Sequence, residues 1–100
     1  MVQVKWTPQS IEDLRTIYEY IAKDSRKYAK IQTIKLRART RILQSNPYAG
    51  KTVPELEMEH LRELVMRNYR IIYIIVDDLT IDIITIHHSA RDLSKRQIKR

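Results

Sequence analysis

Six polar side chains near the ends of predicted strands could do chemistry on a phosphodiester. They are Arg62, Tyr69, Arg70, His87, His88 and Arg91. Guanidinium groups clamp phosphate, and an imidazole can exchange a proton near neutral pH. If the strand ends meet, such a patch could cleave RNA by activating the 2′-hydroxyl and stabilising the phosphorane. The same side chains could equally form a docking surface or a structural ion-pair cluster with nearby acids, and the strand register decides whether they meet.

The sequence does not favour a metal or cofactor site. His60, His87 and His88 are the only imidazoles, and there is no Cys. Adjacent residues on a strand point to opposite faces, so His87 and His88 cannot easily share one ion. With a single Gly, the chain has no Gly-rich loop to hold a nucleotide phosphate. We therefore expect neither a metal nor a cofactor.

The N-terminal part of the chain predicts a strand followed by a helix. Residues Val2–Trp6 alternate apolar and polar side chains, as a half-buried strand does. Thr7 is a good N-cap, and Pro8 suits the first helical position because its missing N–H costs nothing there. Apolar residues then recur at helical spacing, which predicts a helix to about Asp24.

A second helix is expected after Ser25, which can cap it. It should run for roughly twenty residues, until Asn46-Pro47 stops it. Its predicted inner face consists of Ile31, Ile34, Ala38 and Ile42. Two long helices joined by a few residues form an antiparallel hairpin.

The second half of the chain predicts a sheet. Residues Lys51–His60 lack a regular pattern and contain Pro54, so we expect a loop there. Three strands should follow: Leu61–Met66, Tyr69–Val76 and Thr80–His88. Their short connections make the sheet antiparallel. The predicted fold class is α+β, with an N-terminal strand, an antiparallel helical hairpin and then a three-stranded antiparallel sheet.

The predicted sheet is apolar on both faces, although two helices can cover only one. The strand Tyr69–Val76 is apolar throughout except for Arg70, and the strand after it has isoleucines on both sides. An antiparallel sheet with one wet face should alternate cleanly. A C-terminal tail, a second copy or another protein is therefore expected on the second face, unless tail and loop residues close it.

Positive charge is abundant and concentrated in the predicted second helix. The chain has a formal net charge of +7 over 100 residues, which favours nucleic acid or an acidic protein as partner. Seven of its cations follow one another with no acid between them: Arg26, Lys27, Lys30, Lys35, Arg37, Arg39 and Arg41. This run could complement an acidic partner or a phosphate backbone, or it could be an ordinary solvated helix face.

Length and composition indicate one cytoplasmic domain. A chain of 100 residues accommodates a single domain. It has no Cys, no apolar leader at its start and no apolar run that could span a membrane. We therefore expect a cytoplasmic protein without a membrane partner.

A series of short motifs resembles one known family. The series consists of the helix IEDLRTIYEYIA after Trp6, the NPYAG turn, Pro54-Glu55, Arg62-Glu63-Leu64, YRIIY from Tyr69 and HSARDL from His88. In this order and spacing they resemble the ParE branch of the ParE/RelE toxin superfamily over about residues 2 to 93. The resemblance implies one toxin domain over residues 1–93, followed by a basic tail over residues 94–100.

The resemblance also implies a function and partners. ParE-type toxins of type II toxin–antitoxin, plasmid-stabilisation modules are described as poisons of DNA gyrase, whereas RelE-type relatives cleave mRNA on the ribosome. An antitoxin would neutralise the chain, and the expected assembly is either a toxin homodimer or a heterotetramer of toxin and antitoxin. The implied target-binding residues are Arg62, Tyr69, Arg70, Tyr73, His88 and Arg91. The implied antitoxin-binding residues are Arg37, Arg41, Ile72, Ile74, Ile84 and Ile86.

Departures from the nuclease pattern favour the gyrase hypothesis. In a RelE-like nuclease the catalytic candidates here would be Arg70, His88 and Arg91. Some such nucleases use lysines before the second of their sheet strands, where this chain has Glu55, Glu57 and Glu59. They also tend to carry a Tyr near the C-terminus, and this chain has none after Tyr73. A subgroup pairs a loop Glu with a terminal His-Tyr, which Glu55 and His88 would only half match.

Overall fold

A computed structural model describes residues 1–88 of the chain. Its elements are β1 (Gln3–Trp6), α1 (Pro8–Ala22), α2 (Arg26–Arg39), a 3-10 helix (Thr40–Gln44), β2 (Lys51–Thr52), β3 (Leu61–Met66), β4 (Tyr69–Asp77) and β5 (Thr80–His88). The α+β class, the helical hairpin and the antiparallel β3–β4–β5 meander are as the sequence predicts. Arg91 and the tail over residues 94–100 lie outside the described residues.

The sheet has five strands, not the predicted three. Its order is β1-β5-β4-β3-β2. β1 pairs in parallel with β5, Trp6 lying opposite Ile83, and the two-residue β2 pairs antiparallel with β3. The alternation of Val2–Trp6 predicts a strand but cannot name its partner, because that partner lies at the far end of the chain. β2 is too short to leave any periodicity in the loop predicted for Lys51–His60.

The start of α1 is fastened to β5 beyond the end of β1. The Thr7 hydroxyl accepts from the Ser10 N–H at 3.2 Å, as an N-cap does, and donates to the Ile83 carbonyl at 2.7 Å. Six residues later, the Asp13 carboxylate accepts from the Thr85 hydroxyl and, at 3.1 Å, from the Ile86 N–H. Backbone groups of β5 that β1 is too short to reach thus find partners on α1.

The main core lies between the sheet and the helical hairpin. It consists of Leu14, Leu36, Leu43, Leu64, Ile71, Tyr73, Ile75, Ile81, Ile83 and Ile86. α2 turns Ala29, Gln32 and Leu36 toward this core. The predicted inner face of α2 is therefore wrong: Ile31, Ile34 and Ile42 are 39%, 56% and 42% exposed. Both faces have helical spacing, and the polar Gln32 makes the true inner face the less apolar of the two in sequence.

A smaller apolar cluster closes much of the second face of the sheet. It contains Val53, Leu61, Ile72 and Ile84, with Leu56 and Ile74 packed against it. Val53 and Leu56 come from the segment between β2 and β3, which folds back over the sheet. Ile72 and Ile84 are fully buried. The apolar pattern alone suggested an uncovered second face, and the structure shows that much of it is covered. Of the alternatives the sequence left open, cover by loop residues is the one observed.

Candidate partner-binding surfaces

The strand register brings together only part of the predicted polar patch. Tyr69 lies opposite His88, and Arg70 lies opposite His87, so the start of β4 does meet the end of β5. Arg62 instead lies opposite Tyr73. Tyr73 is four residues along β4 from Tyr69, a distance of roughly 13 Å at 3.3 Å per residue. Successive residues of a strand also face opposite ways, which separates Tyr69 from Arg70. The predicted patch is therefore divided among three places.

Arg70 lies in a buried clamp of two carboxylates. Its Nε donates to Glu63 at 2.5 Å, and its terminal nitrogens donate to Glu55 at 2.6 and 2.8 Å. Lys51 approaches the other oxygen of Glu63 at 3.7 Å. The hydrogen bond with Glu55 raises the pKa of Arg70 above its ordinary value, burial opposes it, and Glu63 adds to the rise. Arg70 therefore stays charged, with its charge balanced inside the protein.

Tyr69 and His88 form a cross-strand pair on the face that carries the helices. Their ring centroids are 6.0 Å apart at an interplanar angle of 79°, an edge-to-face arrangement. Burial raises the pKa of the Tyr69 phenol above its ordinary value, and the phenols of Tyr20 and Tyr28 add to the rise. His88 is exposed and Tyr69 is half-buried.

Arg62 and Tyr73 hold the turn that precedes β2. The buried Tyr73 hydroxyl donates to the Pro47 carbonyl at 2.8 Å and accepts from the Gly50 N–H at 3.0 Å. Arg62 Nε donates to the Gly50 carbonyl at 2.9 Å, and its guanidinium lies 5.2 Å from the Tyr48 ring centroid. Tyr73 is fully buried, so the structure places it in the core and not on the target-binding surface predicted for it.

The predicted antitoxin-binding residues fall into two groups. Ile72, Ile84 and Ile86 are at most 3% exposed in the chain itself, because the cover over the second face and the main core already enclose them. Ile74 is half-buried. Arg37 and Arg41, by contrast, are exposed on α2 and the 3-10 helix. An antitoxin contact remains a prediction for all six, but only the arginines and Ile74 present surface for it.

Exposed apolar side chains at helical spacing lie on the outside of the hairpin. We name it the α2 stripe: Ile31, Ile34, Ala38 and Ile42. The α2 stripe lies among the seven cations of this helical segment. It continues into a groove of about 430 Å³ lined by Val4, Trp6, Ile34, Arg37, Ala38, Thr40, Arg41 and Gln44. There the Arg37 guanidinium lies 5.2 Å from the Trp6 ring centroid.

The α2 stripe was missed by the prediction because its residues were assigned to the core. One signal was available: at helical spacing none of the seven cations falls on the face of Ala29, Gln32 and Leu36, whereas several flank the isoleucines. The face of an amphipathic helix that is free of charge is the one expected to turn inward.

Residues 1–88 contain neither a metal-binding cluster nor a membrane span. No three His, Asp or Glu side chains in this part of the chain are grouped as metal ligands. None of its helices has the length and apolarity needed to cross a bilayer.

The described residues form a small α+β domain with a helical hairpin on one face of a five-stranded sheet. The family model for the ParE toxin of the type II toxin-antitoxin system parDE matches residues 4–93. The chain therefore belongs to the ParE toxin family, which confirms the resemblance, and it is of the type II toxin class.

A solved structure supports the fold. It is described as the chromosomal ParDE TA system from P. aeruginosa and is similar to this chain with a TM-score of 0.73 and 22% sequence identity. The match covers 88% of this chain and 96% of that chain. No curated protein matches the sequence.

Proposed function

We propose that this chain is a binding toxin that inhibits DNA gyrase, blocks replication without catalysis of its own, and is neutralised by a cognate antitoxin. Membership of the ParE toxin family identifies the class of toxin. The gyrase target and neutralisation by an antitoxin are what we propose in addition. The chain acts in the cytoplasm, because that is where bacterial replication takes place.

The Arg70 clamp is the observation that carries the non-catalytic part of this proposal. A ribonuclease needs a cation free to meet the charge that develops on the phosphorane. Here Arg70 donates to Glu63 and Glu55, both of which a phosphate would have to displace. Two further carboxylates, Glu57 and Glu59, lie exposed on the same segment and repel a polyanion.

A ribosome-dependent mRNA endoribonuclease is the second candidate, and one observation favours it. His87 lies directly opposite Arg70, so an imidazole, a guanidinium and two carboxylates share one face of the sheet. Such a set can exchange protons. His87 is only 4% exposed, however, and RNA would have to enter beneath the cover formed by the segment between β2 and β3.

The α2 stripe supports the antitoxin part of the proposal. Exposed apolar side chains at helical spacing suit an amphipathic helix laid alongside them. The surrounding cations require that this helix be acidic, and Arg37 and Arg41 at the Trp6 groove are placed to meet its carboxylates. A second toxin copy would bring seven more cations to the same surface, so the stripe does not suit a symmetric toxin homodimer.

A supercoiling assay tests the proposed target. Relaxed plasmid, bacterial gyrase and ATP are incubated with increasing amounts of the purified chain, with and without its antitoxin. We expect loss of supercoiling that antitoxin restores, and no cleavage of mRNA on programmed ribosomes at the same concentrations. Intact gyrase activity alongside mRNA cleavage would replace this proposal with the nuclease.

A further inference from the structure

Three tyrosines from three elements lie at the end of the molecule where the helical hairpin turns. Tyr20 belongs to the last part of α1, Tyr28 to the first turn of α2, and Tyr69 begins β4. Thr7 bonds to Ile83 and Asp13 to Ile86, so α1 runs beside β5 toward the end of β5 where His88 pairs with Tyr69. The phenols of Tyr20 and Tyr28 also help burial to raise the pKa of Tyr69. His88 meets Tyr69 edge to face. We name these four rings the tyrosine patch; it shares no residue with the Trp6 groove.

Two of these rings are in contact with solvent, and one of them is fixed by a hydrogen bond. Tyr20 is 70% exposed and Tyr28 is 46% exposed. Gln32, itself buried, donates from Nε2 to the Tyr28 hydroxyl at 2.7 Å, which fixes that ring along α2. Lys23 Nζ lies 6.0 Å from the Tyr20 ring centroid. Neither tyrosine belongs to an apolar cluster of the described residues, so core packing does not account for them.

The charge around the tyrosine patch is positive. Lys23, Arg26 and Lys27 lie in or next to the hairpin connection, and Arg67 lies in the turn directly before Tyr69. The acids along the same stretches are Glu19 and Asp24, and Glu19 is 3.4 Å from Arg15. These stretches thus carry four cations and two acids, and one of the acids, Glu19, already has a basic partner.

We propose that the tyrosine patch binds single-stranded nucleic acid, bases stacking on Tyr20 and Tyr28 while Lys23, Lys27 and Arg67 neutralise phosphates. Exposed aromatic rings within a positively charged surface are what sequence-tolerant single-strand binding requires, because every base has a π face. An apolar peptide would find its match at the α2 stripe and not among these phenols. The proposal does not depend on whether gyrase is the target.

Fluorescence anisotropy with a labelled oligothymidylate twelve-mer tests it on the full chain. We expect the double variant Tyr20→Leu/Tyr28→Leu to bind at least tenfold more weakly, because Leu keeps apolar bulk but has no π face. Its dependence on salt should equal that of the wild type, since no phosphate contact is removed. The Phe pair, Tyr20→Phe/Tyr28→Phe, should bind within twofold of wild type.

The matched control is Tyr48→Leu, which removes a ring of similar exposure, 52%, in the turn before β2. It should leave oligothymidylate affinity unchanged, and circular dichroism should show each variant folded. The proposal is overturned if the wild type does not bind the oligonucleotide at low salt, or if the Leu pair binds as tightly as the wild type. Equal weakening by Tyr48→Leu would also overturn it. So would a result in which mutation of the tyrosine patch weakens the binding of protein partners and leaves oligonucleotide binding unchanged.

Discussion

Arg70 and Glu63, on the neighbouring strands β4 and β3, are joined at 2.5 Å while being 7% and 4% exposed. With Glu55 they form a buried ion network that connects the sheet to the segment covering its second face. The guanidinium that made Arg70 a catalytic candidate in sequence therefore has a structural role, as the centre of a buried ion network. Removal of one partner leaves a buried charge without its partner, which is strongly destabilising. The ion pairs of α1 are exposed to water, so removal of one of their partners costs little.

Replacement of Arg70 should destabilise the protein strongly. Arg70→Ala strands the Glu63 carboxylate, and we expect the free energy of unfolding to fall by about 3–5 kcal/mol in urea titrations at pH 7. Arg70→Met combined with Glu63→Leu should cost less than Arg70→Ala alone, because both members of the most buried ion pair are then removed. Arg15→Ala, in an exposed pair, should leave the urea midpoint unchanged. A wild-type midpoint for Arg70→Ala would show that the clamp is absent in solution.

The Tyr73 hydroxyl should matter at neutral pH. Tyr73→Phe leaves the Gly50 N–H and the Pro47 carbonyl without their partner, at a cost of about 1–3 kcal/mol. Urea titration at pH 7 measures this. Stability equal to the wild type would mean that water replaces the phenol.

The Tyr73 phenol should also make the folded protein less stable at alkaline pH. Burial raises the pKa of Tyr73 above its ordinary value, so the folded protein holds the phenolic proton more tightly than the unfolded chain does. Stability is therefore intact below a pH of about 10 and falls as the pH rises beyond it. Tyr73→Phe should lose stability less steeply over this range, with Tyr69 accounting for part of the remaining slope. Parallel pH curves for the two proteins would contradict the assignment.

Gly50 should tolerate no side chain. A Cβ at this position would collide with the Glu63 carbonyl oxygen and lie 2.8 Å from the Tyr73 hydroxyl. Gly50→Ala must push β2 away from β3, so we expect a clear fall in melting temperature. Thr52→Ala, an exposed change in the neighbouring strand β2, serves as the control and should melt as the wild type does. A fall of equal size in both variants would trace the effect to β2 itself.

The two helices and the β3–β4–β5 meander could be predicted from sequence because their patterns are local. The pairing of β1 with β5 could not be predicted, because the alternation of apolar and polar residues in a strand does not indicate which distant strand it pairs with. The inner face of α2 was ambiguous for a similar reason. Ile31 and Ile34 match helical spacing as well as Ala29 and Leu36 do, and only the packed sheet decides which pair is buried.

The candidate site shows the same limit. Residue types pointed to Tyr69, Arg70 and His88 at the strand ends, and the register pairs Tyr69 with His88 but Arg70 with His87, on the other face of the sheet. They could not reveal that Glu55 and Glu63 neutralise Arg70, because this depends on how the irregular segment before β3 folds back. The sequence left open an ion-pair cluster with nearby acids, and the structure bears out that alternative for Arg70.

Changes in the α2 stripe should release the antitoxin and leave the toxin folded. Ile34→Asp places a carboxylate where an acidic helix is proposed to dock, and we expect its affinity for the co-expressed antitoxin to fall at least tenfold by calorimetry. Arg37→Glu should act in the same direction and reduce the dependence on salt. Leu79→Asp, equally apolar and 69% exposed in the β4–β5 turn, should bind as the wild type does. Unaltered affinity of Ile34→Asp would move the antitoxin elsewhere.

The most direct test of the binding-toxin proposal is a pulse-labelling experiment in bacteria that lack the antitoxin. Expression of the chain is induced, and incorporation of labelled thymidine and labelled methionine is followed together. The proposal predicts that DNA synthesis stops first and that cells form filaments while protein synthesis continues. If methionine incorporation stops first and mRNA is cut at ribosomes, the chain is a nuclease and Arg70 must leave its carboxylates to act.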